Sequence, residues 1–190
     1  LLGLDYSMNR HQGKRGNHGA PAHSNVVMAG LGVGTYSGSF REMSPYRNKF
    51  TFNADLGYGR WLDQTNGAYV RLSNLTAQRR GEHNQSIHSL QAGYMLNVKS
   101  AITGESTEND VFQLTTLLGA SLNVATRSGH GPTYAPGLQA AIQAGVRVAP
   151  QVEIYLEPSV AAFGKTIERS HNSYPVEAMA KLSLGTKISF

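Results

Sequence analysis

Lys181-Leu182-Ser183-Leu184-Gly185-Thr186-Lys187-Ile188-Ser189-Phe190 closes the chain, and its alternation decides how the rest is read. Successive side chains of a β-strand point to opposite faces, so Leu182, Leu184, Ile188 and Phe190 share one side while Lys181, Ser183, Gly185, Lys187 and Ser189 share the other. One face is apolar and the other carries two lysines. A strand of this kind separates two media.

The same alternation recurs towards the N-terminus. Over residues 151 to 163, Val152, Ile154 and Leu156 oppose Glu153, Tyr155 and Glu157, and over 137 to 149 Leu138, Ala140, Ile142, Ala144, Val146 and Val148 oppose Gln139, Ala141, Gln143, Gly145, Arg147 and Ala149. Only Pro150 and Gln151 separate these two segments, which predicts a tight antiparallel hairpin. Phe112, Leu114, Leu118, Leu122 and Val124 set the phase of 111 to 125, and Phe50, Phe52, Ala54, Leu56 and Tyr58 that of 49 to 61. Segments near 25 to 36, 67 to 78, 87 to 98 and 176 to 190 bring the total to eight, divided by Gly, Pro, Asn and Ser clusters that read as connections.

Composition allows a membrane barrel. The chain has 190 residues, 15% of them charged and 40% hydrophobic, with the apolar residues dispersed in short alternating groups. A membrane helix needs about 20 consecutive apolar residues, and no stretch comes near that, so a chain that crosses a bilayer here must do so with closed strands. The absence of cysteine removes disulfides and thiolate sites.

Glycine placement assigns the faces. Gly30, Gly32, Gly34, Gly57, Gly59, Gly93, Gly119, Gly145 and Gly185 all fall on the polar face. The interior of an eight-stranded barrel is just wide enough for its own side chains, so small residues are needed there, whereas a solvated polar surface has no use for strand-weakening glycine. The polar face is therefore expected inside and the apolar face against lipid. A soluble carrier barrel is the competing arrangement, with the faces reversed. The lumen then holds Asp55, Glu153 and Glu157 with Arg71, Arg147, Lys181 and Lys187, and strands seven and eight can pair Glu153 or Glu157 with Lys181 or Lys187. The reading is a packed polar plug, with a partner-exchanging gate and a narrow ion channel as the alternative.

With these features in place, the region from Asn25 to Phe190 resembles the small eight-stranded outer-membrane proteins of the OmpA-transmembrane-domain and OmpX type. The resemblance implies an all-β fold, an antiparallel transmembrane up-and-down β-barrel with a polar, filled lumen. It also implies a Gram-negative outer membrane location with periplasmic termini, outer-membrane lipid and lipopolysaccharide as surroundings, and Phe190 as the C-terminal signal read by the barrel-assembly machinery. No cofactor, metal or nucleic acid is expected.

With both termini periplasmic, the connections near 37 to 48, 79 to 86, 126 to 136 and 164 to 175 face outward. They carry a basic surplus, from which Arg79, Arg80, Arg127, Lys165 and Arg169 are candidates for lipopolysaccharide contacts. Residues 1 to 24 form a basic, polar N-terminal tail too poor in apolar side chains to build a core, and they hint at a partner in a larger outer-membrane complex. His11, His18 and His23 lack a compact metal-ligand spacing.

One candidate nucleophilic pair remains. Ser86 and His88 share a face, and Glu82 is the nearby acid that could orient the histidine. Lipid A deacylases of the PagL type also place His and Ser two apart on a strand, but in the order His-x-Ser, which this chain reverses. The functional expectation is accordingly a non-enzymatic barrel with a structural or protein- and lipid-interaction role. A lipid A-modifying acyl hydrolase and a narrow ion channel stand as the alternatives.

Overall fold

A computed structural model describes residues 23 to 37, 49 to 77, 85 to 104, 110 to 127, 130 to 164 and 176 to 190. Eight strands run in chain order: β1 (Asn25–Ser37), β2 (Lys49–Trp61), β3 (Asn66–Ala77), β4 (Gln85–Asn97), β5 (Phe112–Arg127), β6 (His130–Ala149), β7 (Val152–Gly164) and β8 (Val176–Ser189). Each pairs antiparallel with its sequence neighbour, and β8 returns to β1, closing the barrel. At the seam Asn25 and Phe190 exchange backbone hydrogen bonds of 3.0 and 2.8 Å. The terminal strand is thus bonded on both edges, which is what removes sheet edges from the hydrocarbon.

The register fixes the barrel's girth. Followed once round the wall, Thr35 pairs with Ala180, then Val160, Ala140, Leu118, Tyr94, Ala68 and Arg60, and returns to β1 at Asn25 rather than at Thr35. A stagger of that size across eight strands tilts them by roughly 40° and gives a wall radius of about 8 Å. Side chains fill such an interior.

The assigned phase holds. Leu31, Phe52, Leu56, Leu72, Leu90, Leu118, Leu138, Ile154, Leu156, Leu182, Leu184 and Ile188 are exposed on the outside, while Asn53, Asp55, Arg71, Ser73, Gln91, Gln143, Glu157, Lys181, Ser183 and Lys187 are buried. Glycines of the polar face admit the large lumen side chains. A Cβ on Gly185 would strike the Tyr155 ring, one on Gly145 the Glu153 carboxylate, and one on Gly119 would lie 2.6 Å from the Tyr69 hydroxyl.

Two elements differ from the sequence reading. The connection expected near 126 to 136 is mostly strand, since β5 runs to Arg127 and β6 starts at His130. Pro132 and Pro136 suggested a loop, but β6 extends beyond its last pair with β7, Gly137 with Phe163, and there proline's missing N–H costs no bond on that side. The second is a helix, α1 (Val98–Thr103), in the connection between β4 and β5. Asn97 caps its start by accepting from the Ser100 amide at 3.2 Å, and Gly104 ends it at φ 67°. Its six residues are too few to show a helical period. At the same end, the Asp63 carboxylate accepts from the amides of Thr65 and Asn66 at 2.7 Å each, fixing the turn from β2 to β3.

Candidate functional site

Inside the wall three layers stack along the axis. Near the end where Asn25 and Phe190 meet, Val26, Met28, Tyr69, Met95, Leu117 and Ala141 form an apolar layer with Trp61 packed against it. Towards the far end Leu75, Ile87, Ala125, Ala135, Ala161, Phe163 and Met179 form another. Between them lies a polar network built on Asp55, Arg71, Glu157 and Lys181, while Arg147, Glu153 and Lys187 stand at the mouth beyond the first layer.

Its centre is a strut across the lumen. Arg71 on β3 and Glu157 on β7 stand on opposite sides of the ring and meet through two parallel bonds of 2.5 and 2.8 Å, both side chains 1% exposed. Gln143 adds a third bond, its amide donating to the Glu157 carboxylate at 2.7 Å. The Arg71 guanidinium also lies 5.7 Å from the centre of the Tyr69 ring. A bidentate pair with this support offsets the desolvation of both ions.

A second group crosses β1. Lys181 on β8 donates to Asp55 on β2 at 3.3 Å, and the Asn53 amide donates to Asp55 at 2.7 Å and to the Ser183 hydroxyl at 3.0 Å. The Ser73 hydroxyl also donates to Asp55. This span requires β1 to be bare between them. A Cβ on Gly32 would lie 2.7 Å from the Ser183 Cα, and one on Gly34 3.1 Å from the Lys181 side chain. Nearer the end where Asn25 and Phe190 meet, Lys187 donates to Glu153 at 2.9 Å. Arg147 is half-buried at that mouth, paired in register opposite Glu153, and both line a small recess with Lys187, Gln151 and Trp61.

The expected residues are therefore together, but only one of the expected pairs forms. Glu153 takes Lys187, as adjacency suggested, whereas Glu157 takes Arg71 from the far wall and Lys181 takes Asp55 from two strands away. Neighbouring strands are visible in a sequence; barrel closure, which brings β3 to face β7, is not. Sequence reasoning also missed Glu177, which is 1% exposed on the lumen side of β8 and paired in register with Phe163. Its signal was present, because it falls in phase with Lys181, Ser183, Gly185 and Lys187.

Ser86 and His88 lie on the outer face of β4, as their common phase required, with His88 exposed and Ser86 half-buried. Neighbouring them are Asn74, opposite His88 on β3, and Thr126, whose hydroxyl donates to the Ser86 carbonyl at 3.4 Å. Among the described residues no hydrogen bond joins Ser86 to His88 and no carboxylate accompanies them, whereas an activated serine needs a histidine in contact and an acid to orient it. Glu82 lies outside the described residues, as do Arg79, Arg80, Lys165, Arg169 and the tail through Ala22; Arg127 ends β5.

No family model and no curated protein matches this sequence. Its fold is similar to that of solved outer-membrane barrels. Neisserial surface protein A superposes with a TM-score of 0.61 at 15% identity, covering 87% of this chain and 97% of that one. Ail, the attachment invasion locus protein of Yersinia pestis, gives a TM-score of 0.53 at 15% identity, covering 88% of this chain and 99% of that one. At such identity the likeness is one of fold: the chain has the architecture of the small eight-stranded outer-membrane β-barrels.

Proposed function

We propose that this protein is an integral barrel of a Gram-negative outer membrane, with both termini on the periplasmic side, that works through its wall and rims rather than through its lumen. Its role is structural and interactive, as an accessory subunit of a larger outer-membrane assembly, in contact with lipid and lipopolysaccharide and inserted by the barrel-assembly machinery. The observation that carries this reading is the filled cross-section. Arg71 and Glu157 meet across the lumen between two apolar layers, with Gln143, Asp55 and Lys181 engaged around them. An interior spent on its own side chains offers neither an aqueous path nor a substrate cleft. What is left for function is the exterior, to which every strand contributes exposed apolar side chains.

The test is to extract the full chain from native membranes in mild detergent and measure the particle mass. A stable particle well above the 20.5 kDa of the chain plus bound detergent is expected, with a second protein in fixed proportion. A lone chain in every detergent would contradict the accessory-subunit reading. Steady single-channel currents in planar bilayers would contradict the sealed lumen.

A further inference from the structure

On the membrane-facing side of β3, β4 and β5 the apolar belt is interrupted. Asn74 stands opposite His88, Thr76 opposite Ser86, and Thr126 opposite Ser86 from the other side. All five point outward, because Ser73, Leu75, Ile87, Ser89 and Ala125 between them are buried in the lumen. The register row that contains the first pair runs Leu31, Ala54, Asn74, His88, Val124, Tyr134, so apolar side chains flank the two polar ones on both sides. Leu72 and Leu90 continue the belt next to them towards the terminal end.

The interruption is also a depression. A groove of about 570 Å³ over Leu56, Leu72, Asn74, His88, Leu90 and Leu122 meets a second of about 430 Å³ over Leu31, Val33 and Phe52, the two sharing Ala54 and Asn74. An acyl chain can fill such a furrow but offers no hydrogen bond to a carboxamide or an imidazole, and polar groups left unmatched in hydrocarbon are penalised. The linkage region of a lipid, where amides, esters and hydroxyls join the chains to the headgroup, supplies donors and acceptors at the depth where the belt gives way to Thr76, Ser86 and Thr126.

We propose that this furrow is a specific site for one multiply acylated lipid of the outer leaflet with amide-linked chains, of the lipid A type. Its chains lie along Leu72, Leu90 and Leu122, its amide and ester groups hydrogen-bond Asn74 and His88, and its headgroup edge meets Thr76, Ser86 and Thr126. The site rests on the outer-membrane reading with the far end of the barrel outward. Unlike an acyl hydrolase, it requires no contact between Ser86 and His88.

The full chain, reconstituted in phosphatidylethanolamine nanodiscs with equal traces of lipid A and phosphatidylglycerol, is washed in mild detergent, and the retained lipids are quantified by mass spectrometry. The parent chain is expected to keep lipid A in preference to phosphatidylglycerol. An Asn74→Leu/His88→Leu variant is expected to lose about tenfold in retention, the loss of one to two hydrogen-bonded contacts. That variant extends the apolar belt, so its barrel should form, and heat-modifiable gel mobility verifies this separately. Equal retention by parent and variant would overturn the proposal, as would equal retention of phosphatidylglycerol. Loss confined to an Arg79→Ser/Arg80→Ser variant would place binding in the connection between β3 and β4 alone and also overturn it. Release of a protein instead of lipid from native membranes would assign the furrow to a protein partner. A parent chain that does not insert at all would overturn both this site and the outer-membrane reading.

Discussion

The strut between Arg71 and Glu157 makes the sharpest energetic prediction. Replacing Arg71 with Met leaves Glu157, 1% exposed, with the Gln143 amide as its remaining donor, and replacing Glu157 with Gln leaves the Arg71 guanidinium without its carboxylate. Breaking a buried pair by removing one partner costs about 3–5 kcal/mol, because the surviving ion stays desolvated without compensation. Removing both charges together avoids that penalty, so the double variant Arg71→Met/Glu157→Gln should be more stable than either single one. The coupling between the two sites should then exceed the cost of either single change, about 3–5 kcal/mol, well above the 0.5 kcal/mol or so at which independent sites add. Urea unfolding in phospholipid vesicles reads this directly. The chain has one tryptophan, and Trp61 packs on the apolar layer beside the strut, so its fluorescence reports the loss of lumen packing. Single variants that unfold within about 1 kcal/mol of the parent would refute the argument, since that is the range of an exposed ion pair.

Three further outcomes follow from the wall. Gly93→Ala places a Cβ 2.5 Å from the Gly119 Cα and should cost about 1–3 kcal/mol, whereas Gly131→Ala meets nothing within 4 Å and should be silent in the same unfolding assay. Pairing between β6 and β7 lapses where Ile142 and Gln143 face Glu157 and Pro158, because proline has no amide to give. Pro158→Ala should restore a ladder bond within the hydrocarbon and stabilise by about 1 kcal/mol, with slower hydrogen exchange at neighbouring amides; faster exchange would contradict this. Leu184→Arg, on the lipid face of β8, should cost about 2–4 kcal/mol, while Lys99→Ala, whose ion pair with Asp110 is half exposed, should change stability by less than about 1 kcal/mol.

The sequence carried the strands and their phase because a barrel wall imposes period two along every crossing, and glycine on the polar face told which side is crowded. Gly32, Gly34, Gly145 and Gly185 each proved to face a lumen group. Strand ends were less legible. Pro132 and Pro136 have the same local signature in a loop as on an unpaired strand edge, and only the position where β7 ends distinguishes the two. Charge pairing was legible between neighbours, as with Glu153 and Lys187, and hidden across the ring, as with Arg71 and Glu157, since the diametric partner depends on how many strands close the circle. The outward polar patch was half visible. Ser86 and His88 stood out as a pair, but Asn74 and Thr126 join them only through register.

The central claim is that the apolar face meets lipid and the charged face fills the barrel. The chain has no cysteine, so single cysteines introduced from Ala180 to Ile188 along β8 can each carry a nitroxide label. In reconstituted bilayers the labels at 182, 184 and 188 should be open to dissolved oxygen, and those at 181, 183 and 187 should be immobile and closed to it. The reverse phase, or accessibility without a period of two, would contradict the account.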